Sequence, residues 1–357
     1  MVTVIKTLKL RIKDKHAPAL VAMARDVNQV WNYINELSYR SIRERQKWLS
    51  AYDLQKYTAG FSKCDGVKVG SATVQQVCEE YATRRNQFKK ARLNWRVSNQ
   101  KSSKRSLGWI PFKNGGAVYR NGQVKFCGLM LGLWDSYGLS KYELRGGSIS
   151  QDARGRWYLN VAVEVKVTKS AGTASVGIDL GLKTSAVCST GESLASRTYR
   201  KHEPALAIAQ RANKKGRARA IHAKIANVRK DAMHKFSTRL VAENAAIFVG
   251  NVSSAKLIKT KMAKSVHDAG WSMFKTMLEY KSHQAGVIFE VVNESYSTQT
   301  CSCCGVIPAS SPRGRAGLRI REWACSDCGA VHNRDVNAAL NILARGHARL
   351  AAGIPVL

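Results

Sequence analysis

Two copies of the pattern Cys-x-x-Cys-Gly constrain the fold of the last third of this 357-residue chain. Cys301 and Cys304 lie in "CSCCG", and Cys325 and Cys328 lie in "CSDCG", with 20 residues between the two pairs. This spacing is typical of a zinc ribbon, in which two hairpins present four sulfurs to one tetrahedral ion. Cys303 offers another register for the first pair, but only Cys301 with Cys304 places glycine after the second cysteine, as in the other pair. The sequence therefore predicts one structural zinc held by these four cysteines.

The net charge narrows the class of partner. A formal charge of +34 predicts a polyanionic ligand, with nucleic acid favoured over an acidic membrane surface. No apolar run approaches the roughly 18 residues that a spanning helix needs. The first residues, "MVTVIKTLKLRIKDK", alternate in polarity and do not form the apolar centre of a signal peptide. Nine cysteines, five of them between 301 and 328, fit a reduced compartment. We therefore expect a soluble, intracellular protein that binds nucleic acid, with no membrane partner.

The N-terminal half combines strand and helix patterns. Residues 2–12 and 108–166 alternate apolar and polar positions, which predicts a small β-barrel built from both segments. Apolar residues at every third or fourth position between them predict helices over about 18–48 and 72–99. The second helix is strongly basic, and we expect phosphate contacts from its cationic side chains, with a solvated charged face as the alternative. These are Arg84, Arg85, Lys89, Lys90 and Arg92.

A lone carboxylate opens the second half of the chain. Asp179 lies in the apolar strand of "SVGIDLGLKTSAVCSTGE", between Gly177 and Gly181. Burying a carboxylate is costly unless it meets a charge or a metal ion, and glycines in a strand allow a substrate to approach the backbone. Ribonuclease-H-type folds use such an acid with two others to hold two divalent ions, and magnesium suits oxygen ligands of this kind. A hydrogen-bonded structural acid is the alternative.

Two further acids complete this candidate site. Asp335 precedes an apolar-periodic helix in "HNRDVNAALNIL", where helix capping is the alternative role. The strand in "NAAIFVGNVSSAKL" ends at Gly250 and carries no acid there. The following strand offers Glu294 at its exit, beside the first cysteine pair, and Glu290 four residues earlier. We predict Glu294 as the third ligand, with a surface salt bridge as the alternative.

The order of motifs resembles one family. "GIDLG", "RKDAMHKFSTRLV", "YSTQTCSCCG", "CSDCG" and "NRDVNAALNI" follow one another as in TnpB, the RNA-guided nuclease encoded by insertion sequences, and in compact type V CRISPR effectors. The resemblance spans 105–346 and includes "LGWIPFK", "LGLWDS" and "GRWYLNVAVEV" of the wedge barrel. It implies an α/β multidomain fold: a β-barrel wedge with a helical recognition insertion, then a RuvC/RNase H-like domain with an inserted zinc ribbon. The implied boundaries are wedge 1–14 and 101–168, recognition lobe 15–100, nuclease 169–296 and 334–357, and ribbon 297–333.

The resemblance also implies a function. Such a protein binds a transposon-derived noncoding guide RNA and cleaves double-stranded target DNA beside a short flanking motif, as a monomer in the complex. The resemblance further implies a cytoplasmic location in a prokaryote, at the nucleoid when the protein is bound to DNA. It assigns catalysis and two magnesium ions to Asp179 and Asp335, and zinc to the four cysteines. On the basic helix 229–241, we expect Arg229, Lys230 and Lys235 to contact nucleic acid.

Gly250 departs from the family pattern, because most relatives carry the second catalytic glutamate there. Either Glu294 supplies that carboxylate from the adjoining strand, or the chain is a cleavage-inactive, repressor-like protein that binds DNA under RNA guidance. Retention of both Asp179 and Asp335 favours the first reading. A third reading, a non-enzymatic zinc-ribbon RNA-binding protein, gives the aspartates no role, and magnesium-dependent DNA cleavage distinguishes it from the first.

Overall fold

The computed structural model describes residues 2–167, 169–252, 266, 269–317 and 319–353. The chain divides into two compact units, Thr3–Val165 and, together with Met1–Val2, Lys166–Leu357. Within the described residues, no helix is both long enough and apolar enough to span a membrane.

The first unit contains a seven-stranded antiparallel sheet that forms a nearly closed barrel. Its strands are β1 (Val2–Ile12), β2 (Trp109–Phe112), β3 (Ala117–Arg120), β4 (Gln123–Phe126), β5 (Leu129–Trp134), β6 (Leu144–Gln151) and β7 (Trp157–Val167). They are ordered β2-β6-β7-β1-β5-β4-β3, so the first strand of the chain lies between two strands that follow the helices. The alternate residues Trp157, Leu159, Val161 and Val163 are buried, as the period-two pattern predicts. The predicted barrel of two separate segments is therefore confirmed.

Three helices are inserted between β1 and β2: α1 (Ala17–Arg45), α2 (Ala51–Tyr57) and α3 (Ser71–Phe88). Helix α1 buries Leu20, Val27 and Ile34 along one face, in agreement with the predicted period. Helix α3 ends eleven residues before the predicted end at 99, so that prediction is wrong. Lys89 adopts a left-handed conformation (φ 49°) and closes the helix.

The predicted role of Arg85 also has to be corrected. It is only 2% exposed, and its guanidinium donates to Ser38 Oγ and to the carbonyl of Leu49. The rings of Trp48 and Tyr81 lie 5.0 and 5.8 Å from it. A buried cation whose donors are directed inward does not reach a phosphate, so the prediction for Arg85 as a nucleic-acid contact is wrong. Its periodic position on α3 faces the core, which its residue type did not reveal.

The second unit is built on a five-stranded mixed sheet. Its strands are β8 (Ala174–Asp179), β9 (Thr184–Cys188), β10 (Ser193–Ala195), β11 (Asn244–Gly250) and β12 (Ile288–Val292), in the order β10-β9-β8-β11-β12. Strands β8, β11 and β12 run parallel, and β9 is antiparallel to β8. The longer helices are α4 (Glu203–Arg211), α5 (Lys215–Glu243), α6 (Trp271–Ala285) and α8 (Arg334–Ala351). Because parallel strands end at the same edge, the ends of β8, β11 and β12 come together.

Helix α8 packs directly on β8 and β11. A Cβ added at Gly177 would overlap the backbone carbonyl of Ala339, and one at Gly346 would overlap the Phe248 ring. Gly177 therefore makes room for a helix backbone, and the expectation that it admits a substrate is wrong. A short helix α7 (Gly314–Gly317) and the antiparallel strands β13 (Glu322–Ala324) and β14 (Val331–Asn333) form the cysteine-bearing region before α8.

Candidate metal centres

Asp179 lies at the end of β8, opposite Val187 of β9. Burial, together with the neighbouring carboxylates of Asp335 and Glu294, raises the pKa of Asp179 to about 7, while Arg334 acts in the opposite direction. Burial disfavours the charged form of an acid, and like charges do the same. Three carboxylates from distant segments therefore share one electrostatic neighbourhood around the end of β8.

Glu294 occupies the space beside Gly250. A Cβ added at position 250 would overlap Glu294 Oε2 and would lie 3.2 Å from Glu294 Cβ and from Ile342 Cδ1. Gly250 is paired with Val292 at the ends of β11 and β12, so Glu294 emerges just beyond the same sheet edge. Within the described part of the chain, the Oε2 atom of Glu294 is buried without a hydrogen-bond partner. An orphaned carboxylate oxygen of this kind is suited to a cation.

Lys275 of α6 contributes charge near Glu294. Burial raises the pKa of Glu294, and the Lys275 ammonium opposes that rise. The pKa of Lys275 is itself lowered by burial, while Glu294 favours its charged form. Sequence reasoning missed this lysine, because nothing in the α6 sequence distinguishes it from a solvated charge.

Asp335 is the second residue of α8 and does not cap the helix. Asn333 is the cap, since its side-chain oxygen accepts hydrogen bonds from the amides of Asp335 (3.1 Å) and Val336 (3.2 Å). The capping alternative for Asp335 is therefore wrong, and its carboxylate is available for another role. It forms an ion pair with Arg321 Nη1, at 2.8 and 3.1 Å, and lies 3.6 Å from Arg334 Nε.

The four predicted cysteines form a single cluster. Among the described residues they are the one group of potential metal ligands whose donor atoms all lie within 4.8 Å of one another. The Sγ atoms of Cys301 and Cys328 are 3.7 Å apart, and those of Cys304 and Cys325 are 3.8 Å apart. A tetrahedral ion with Zn–S bonds of about 2.3 Å requires sulfurs roughly 3.8 Å apart, so the cluster fits zinc closely. The predicted clustering of these cysteines is confirmed.

His332 is a further polar residue at this cluster. Its Nε2 atom lies 3.0 Å from Cys301 Sγ, within hydrogen-bonding reach, and its ring packs against Trp323 with centroids 4.9 Å apart. Hydrogen bonds to metal ligands orient those ligands and tune their charge. Reasoning from the sequence missed His332, because it lies outside both cysteine pairs.

Two asparagines connect the cysteine cluster to the helix that bears Asp335. The side-chain amides of Asn337 and Asn341 both donate to the carbonyls of Ser297 and Thr300, at 2.7 to 3.3 Å. Asn337 also accepts from the amide of Ser302 at 2.9 Å. The segment between Glu294 and the first cysteine pair is therefore fixed to α8. The i, i+4 spacing of two asparagines in "VNAALN" is the sequence signal that reasoning from sequence overlooked.

Glu290 has a different environment from Glu294. It is 8% exposed and pairs with Arg349 Nε at 2.5 Å. Its register partner is Phe248 of β11, which places it within the strand and before the sheet edge. A salt bridge, the alternative role considered for Glu294, is thus formed by Glu290 instead.

The other predicted nucleic-acid contacts lie at the surface of two separate units. Arg84 pairs with Glu80 at 3.6 Å and Arg92 with Glu36 at 2.8 Å, while Lys235 pairs with Asp231 at 2.8 Å. The side chains of Lys89, Lys90 and Lys230 are exposed, and Arg229 is partly buried on α5. These placements are compatible with phosphate contacts, and the assignments stay predictions.

Comparison with known proteins identifies the family. Residues 158–261 match the family model described as "Probable transposase" (OrfB_IS605), and residues 271–342 match "Cas12f1-like, TNB domain". A protein of Streptomyces pristinaespiralis named as an RNA-guided DNA endonuclease is 35% identical over 305 residues, which cover 80% of this chain and 74% of that protein. The chain belongs to the TnpB family.

The TnpB assignment agrees with two further similarities. The CRISPR-associated endodeoxyribonuclease Cas12f1 of Sulfoacidibacillus thermotolerans is 23% identical over 221 residues, covering 54% of this chain and 51% of that protein. A chain solved in a Cas12f1–sgRNA–target DNA complex superimposes with a TM-score of 0.60 and 14% identity, covering 95% of this chain and 98% of that one. The TnpB chain therefore has the Cas12f-like α/β fold.

Proposed function

We propose that this chain is an RNA-guided DNA endonuclease whose catalytic carboxylates are Asp179, Glu294 and Asp335. The observation that carries the proposal is the position of Glu294: its buried, unpaired Oε2 fills the space beside Gly250 and acts electrostatically on Asp179. Glu294 places its carboxylate in the volume that the carboxylate of a glutamate at position 250 would otherwise occupy. The sheet edge thus retains a third acid although β11 carries none.

These carboxylates fit magnesium in chemistry and charge. The raised pKa of Asp179, caused by burial and by the two neighbouring acids, indicates clustered negative charge that a divalent cation would relieve. Asp335 would exchange its ion pair with Arg321 for the metal. Two magnesium ions held there would supply an activated water and stabilise the leaving oxygen during phosphodiester hydrolysis. The protein's own contribution is to hold three acids at one sheet edge.

We infer the partners from the net charge of the chain and from its membership of the TnpB family. A net charge of +34 suits a protein that neutralises many phosphates, and the Streptomyces relative is named for RNA guidance. We infer a transposon-derived guide RNA that pairs with target DNA, while the protein reads a short flanking motif on the duplex. In this proposal Thr3–Val165 supplies the wedge and recognition parts. The unit from Lys166 onward supplies the RuvC-like nuclease, with the ribbon at 297–333.

An exchange of positions tests the proposal. The protein is purified with the noncoding RNA that it retains, and cleavage of a guide-matched DNA is measured with magnesium. Glu294→Ala should lose cleavage, and the double variant Gly250→Glu, Glu294→Ala should regain part of it, because the carboxylate returns to the same volume. Gly250→Ala alone should impair cleavage, because its Cβ overlaps Glu294. Cleavage by Glu294→Ala at the wild-type rate would exclude the relocated ligand.

A second candidate is a cleavage-inactive protein that binds DNA under RNA guidance. Two observations favour it: β11 lacks an acid at Gly250, and Arg321 occupies the Asp335 carboxylate. This candidate predicts tight, guide-dependent binding of matched DNA without cutting at any magnesium concentration. It also predicts unchanged binding in Glu294→Ala.

A further inference from the structure

The segment after α3 is irregular but fixed to α1 by three asparagines. Asn35 donates to the carbonyl of Leu93 (2.8 Å) and accepts from its amide (3.0 Å). Asn32 makes the same pair of bonds with Arg96, at 2.9 and 2.8 Å. Asn28 donates to Ser98 Oγ at 2.9 Å and accepts from Arg96 Nε. The bidentate amides of Asn35 and Asn32 replace the backbone bonds that a neighbouring strand would make, while Asn28 holds two side chains of the segment. Residues 93–98 therefore have a defined backbone.

This clamp presents Trp95 beside Arg92. The guanidinium carbon of Arg92 lies 5.5 Å from the Trp95 ring centre and 5.0 Å from that of Tyr39, and Glu36 pairs with Arg92 at 2.8 Å. Arg92 thus covers one face of the indole with a cation that is itself anchored. Trp95 nevertheless stays 48% exposed. The ring is oriented by its neighbours and retains a large accessible apolar surface.

The exposure of Trp95 belongs to a pattern in the helical insertion. Large aromatic rings normally bury most of their area, because their removal from water is strongly favourable. Here six aromatic residues between 33 and 95 are about half exposed or more: Tyr33, Trp48, Tyr52, Tyr57, Phe88 and Trp95. Exposed rings in a strongly cationic chain suit single-stranded nucleic acid, since bases stack on aromatic faces while basic groups follow the backbone. Among these rings, Trp95 is the one on a segment clamped at residues 93, 96 and 98.

We propose that Trp95, supported by Arg92, is a stacking platform for an unpaired nucleotide of bound nucleic acid. The base lies on the accessible indole surface, and the exposed Lys89 and Lys90, a few residues earlier, suit the adjoining phosphates. The inference rests on the proposed function only for the class of partner. It requires neither magnesium nor cleavage.

Fluorescence anisotropy of the full chain with short labelled oligonucleotides, in the absence of magnesium, tests the platform. Trp95→Ala should weaken binding of a single strand by about 5- to 150-fold, the range for loss of one stacked base. The slope of log affinity against log salt should stay at the wild-type value, because no phosphate contact is removed. Trp95→Phe should recover most of the affinity. A fully paired duplex of the same length should lose little, since its bases offer no free face.

Trp134→Ala is the matched control. Trp134 is 65% exposed in the same unit and has Lys13 at 5.6 Å from its ring, but it lies on strand β5 of the barrel, outside the helical insertion that carries the other exposed rings, so binding should stay at the wild-type level. Parallel single-stranded RNA and DNA probes distinguish the guide from a displaced DNA strand, and a selective loss on either supports the platform. Wild-type affinity of Trp95→Ala for both probes, or equal losses in Trp95→Ala and Trp134→Ala, would overturn it. A failure of Trp95→Phe to recover affinity in a folded protein would also overturn it.

Discussion

The cysteine cluster and the carboxylate cluster lie in the same unit, but they are assembled in different ways. Four sulfurs drawn from residues 301–328 already stand at the spacing of a tetrahedral site. The three carboxylates come from β8, the exit of β12 and α8, and the pKa of Asp179 is raised by its burial and then by repulsion from the other two acids. Gathering carboxylates at a buried site is costly unless a cation compensates their charge. The cysteines thus come from one short segment, whereas the sheet and the surrounding packing bring the acids together from distant ones.

Loss of zinc should have the largest effect. Purified protein should contain about one zinc per chain, and Cys325→Ser should remove it, because structural zinc contributes on the order of 10–16 kcal/mol to such small domains. Elemental analysis measures the metal, and thermal unfolding measures the loss of the ribbon. Cys303→Ser is the matched control and should retain zinc, since Cys303 lies outside the cluster. Full zinc content in Cys325→Ser would contradict the assignment.

Loss of a carboxylate should abolish chemistry but leave binding intact. Asp179→Ala, Asp335→Ala and Glu294→Gln should each slow magnesium-dependent cleavage by at least about 10²–10³-fold, the usual cost of removing one preorganised charge-stabilising group. Affinity for guide and target should change little, because no phosphate contact is removed. Groups that act as a unit are not additive, so Glu294→Gln on top of Asp179→Ala should add little. A multiplicative loss in the double variant would separate Glu294 from the site.

Magnesium binding and stability at the carboxylate cluster should depend on pH through Asp179. Because the pKa of Asp179 is raised to about 7, a proton competes with magnesium, and the apparent magnesium affinity should fall by about tenfold for each pH unit below 7. Without metal, the free energy of unfolding should change with pH in the opposite direction and rise as the pH falls. Stabilisation is greatest below about pH 4 and is lost as pH rises through about 7, where the folded acid must ionise. Cleavage titrations and chemical unfolding at several pH values test both, and Asp179→Asn should flatten the stability slope.

Glu290→Gln should have the smallest effect. Glu290 pairs with Arg349 inside β12 and does not contribute to the raised pKa of Asp179, so cleavage should stay within a few-fold of wild type. Loss of this partly buried ion pair should lower the free energy of unfolding by about 1–3 kcal/mol. Cleavage kinetics and denaturant titration measure the two effects. A cleavage defect equal to that of Glu294→Gln would mean that the site extends along β12.

Prediction from the sequence succeeded where the pattern that carried it lay in residues close together along the chain. The cysteine spacing, the alternation in 156–165 and the period of α1 each reflect neighbours along the chain, and the structure agrees with all three. Prediction failed for the end of α3, because the basic stretch up to residue 99 has a composition typical of a helix although α3 ends at Phe88. The backbone groups of Leu93 and Arg96 are satisfied by asparagines of α1, which removes the need for helical hydrogen bonds there.

The sequence by itself determined the clustering of the four cysteines, the barrel strands of two separate segments and the membership of the TnpB family, because each is recorded along the chain as a spacing, a periodicity or an order of motifs. Only the tertiary structure decided that Arg85 is buried, that Gly177 admits a helix and that Glu294 fills the space beside Gly250. These facts depend on which distant backbones approach one another. A residue's type and position along the chain do not encode that approach, since the sheet order and the packing of α8 bring the segments together.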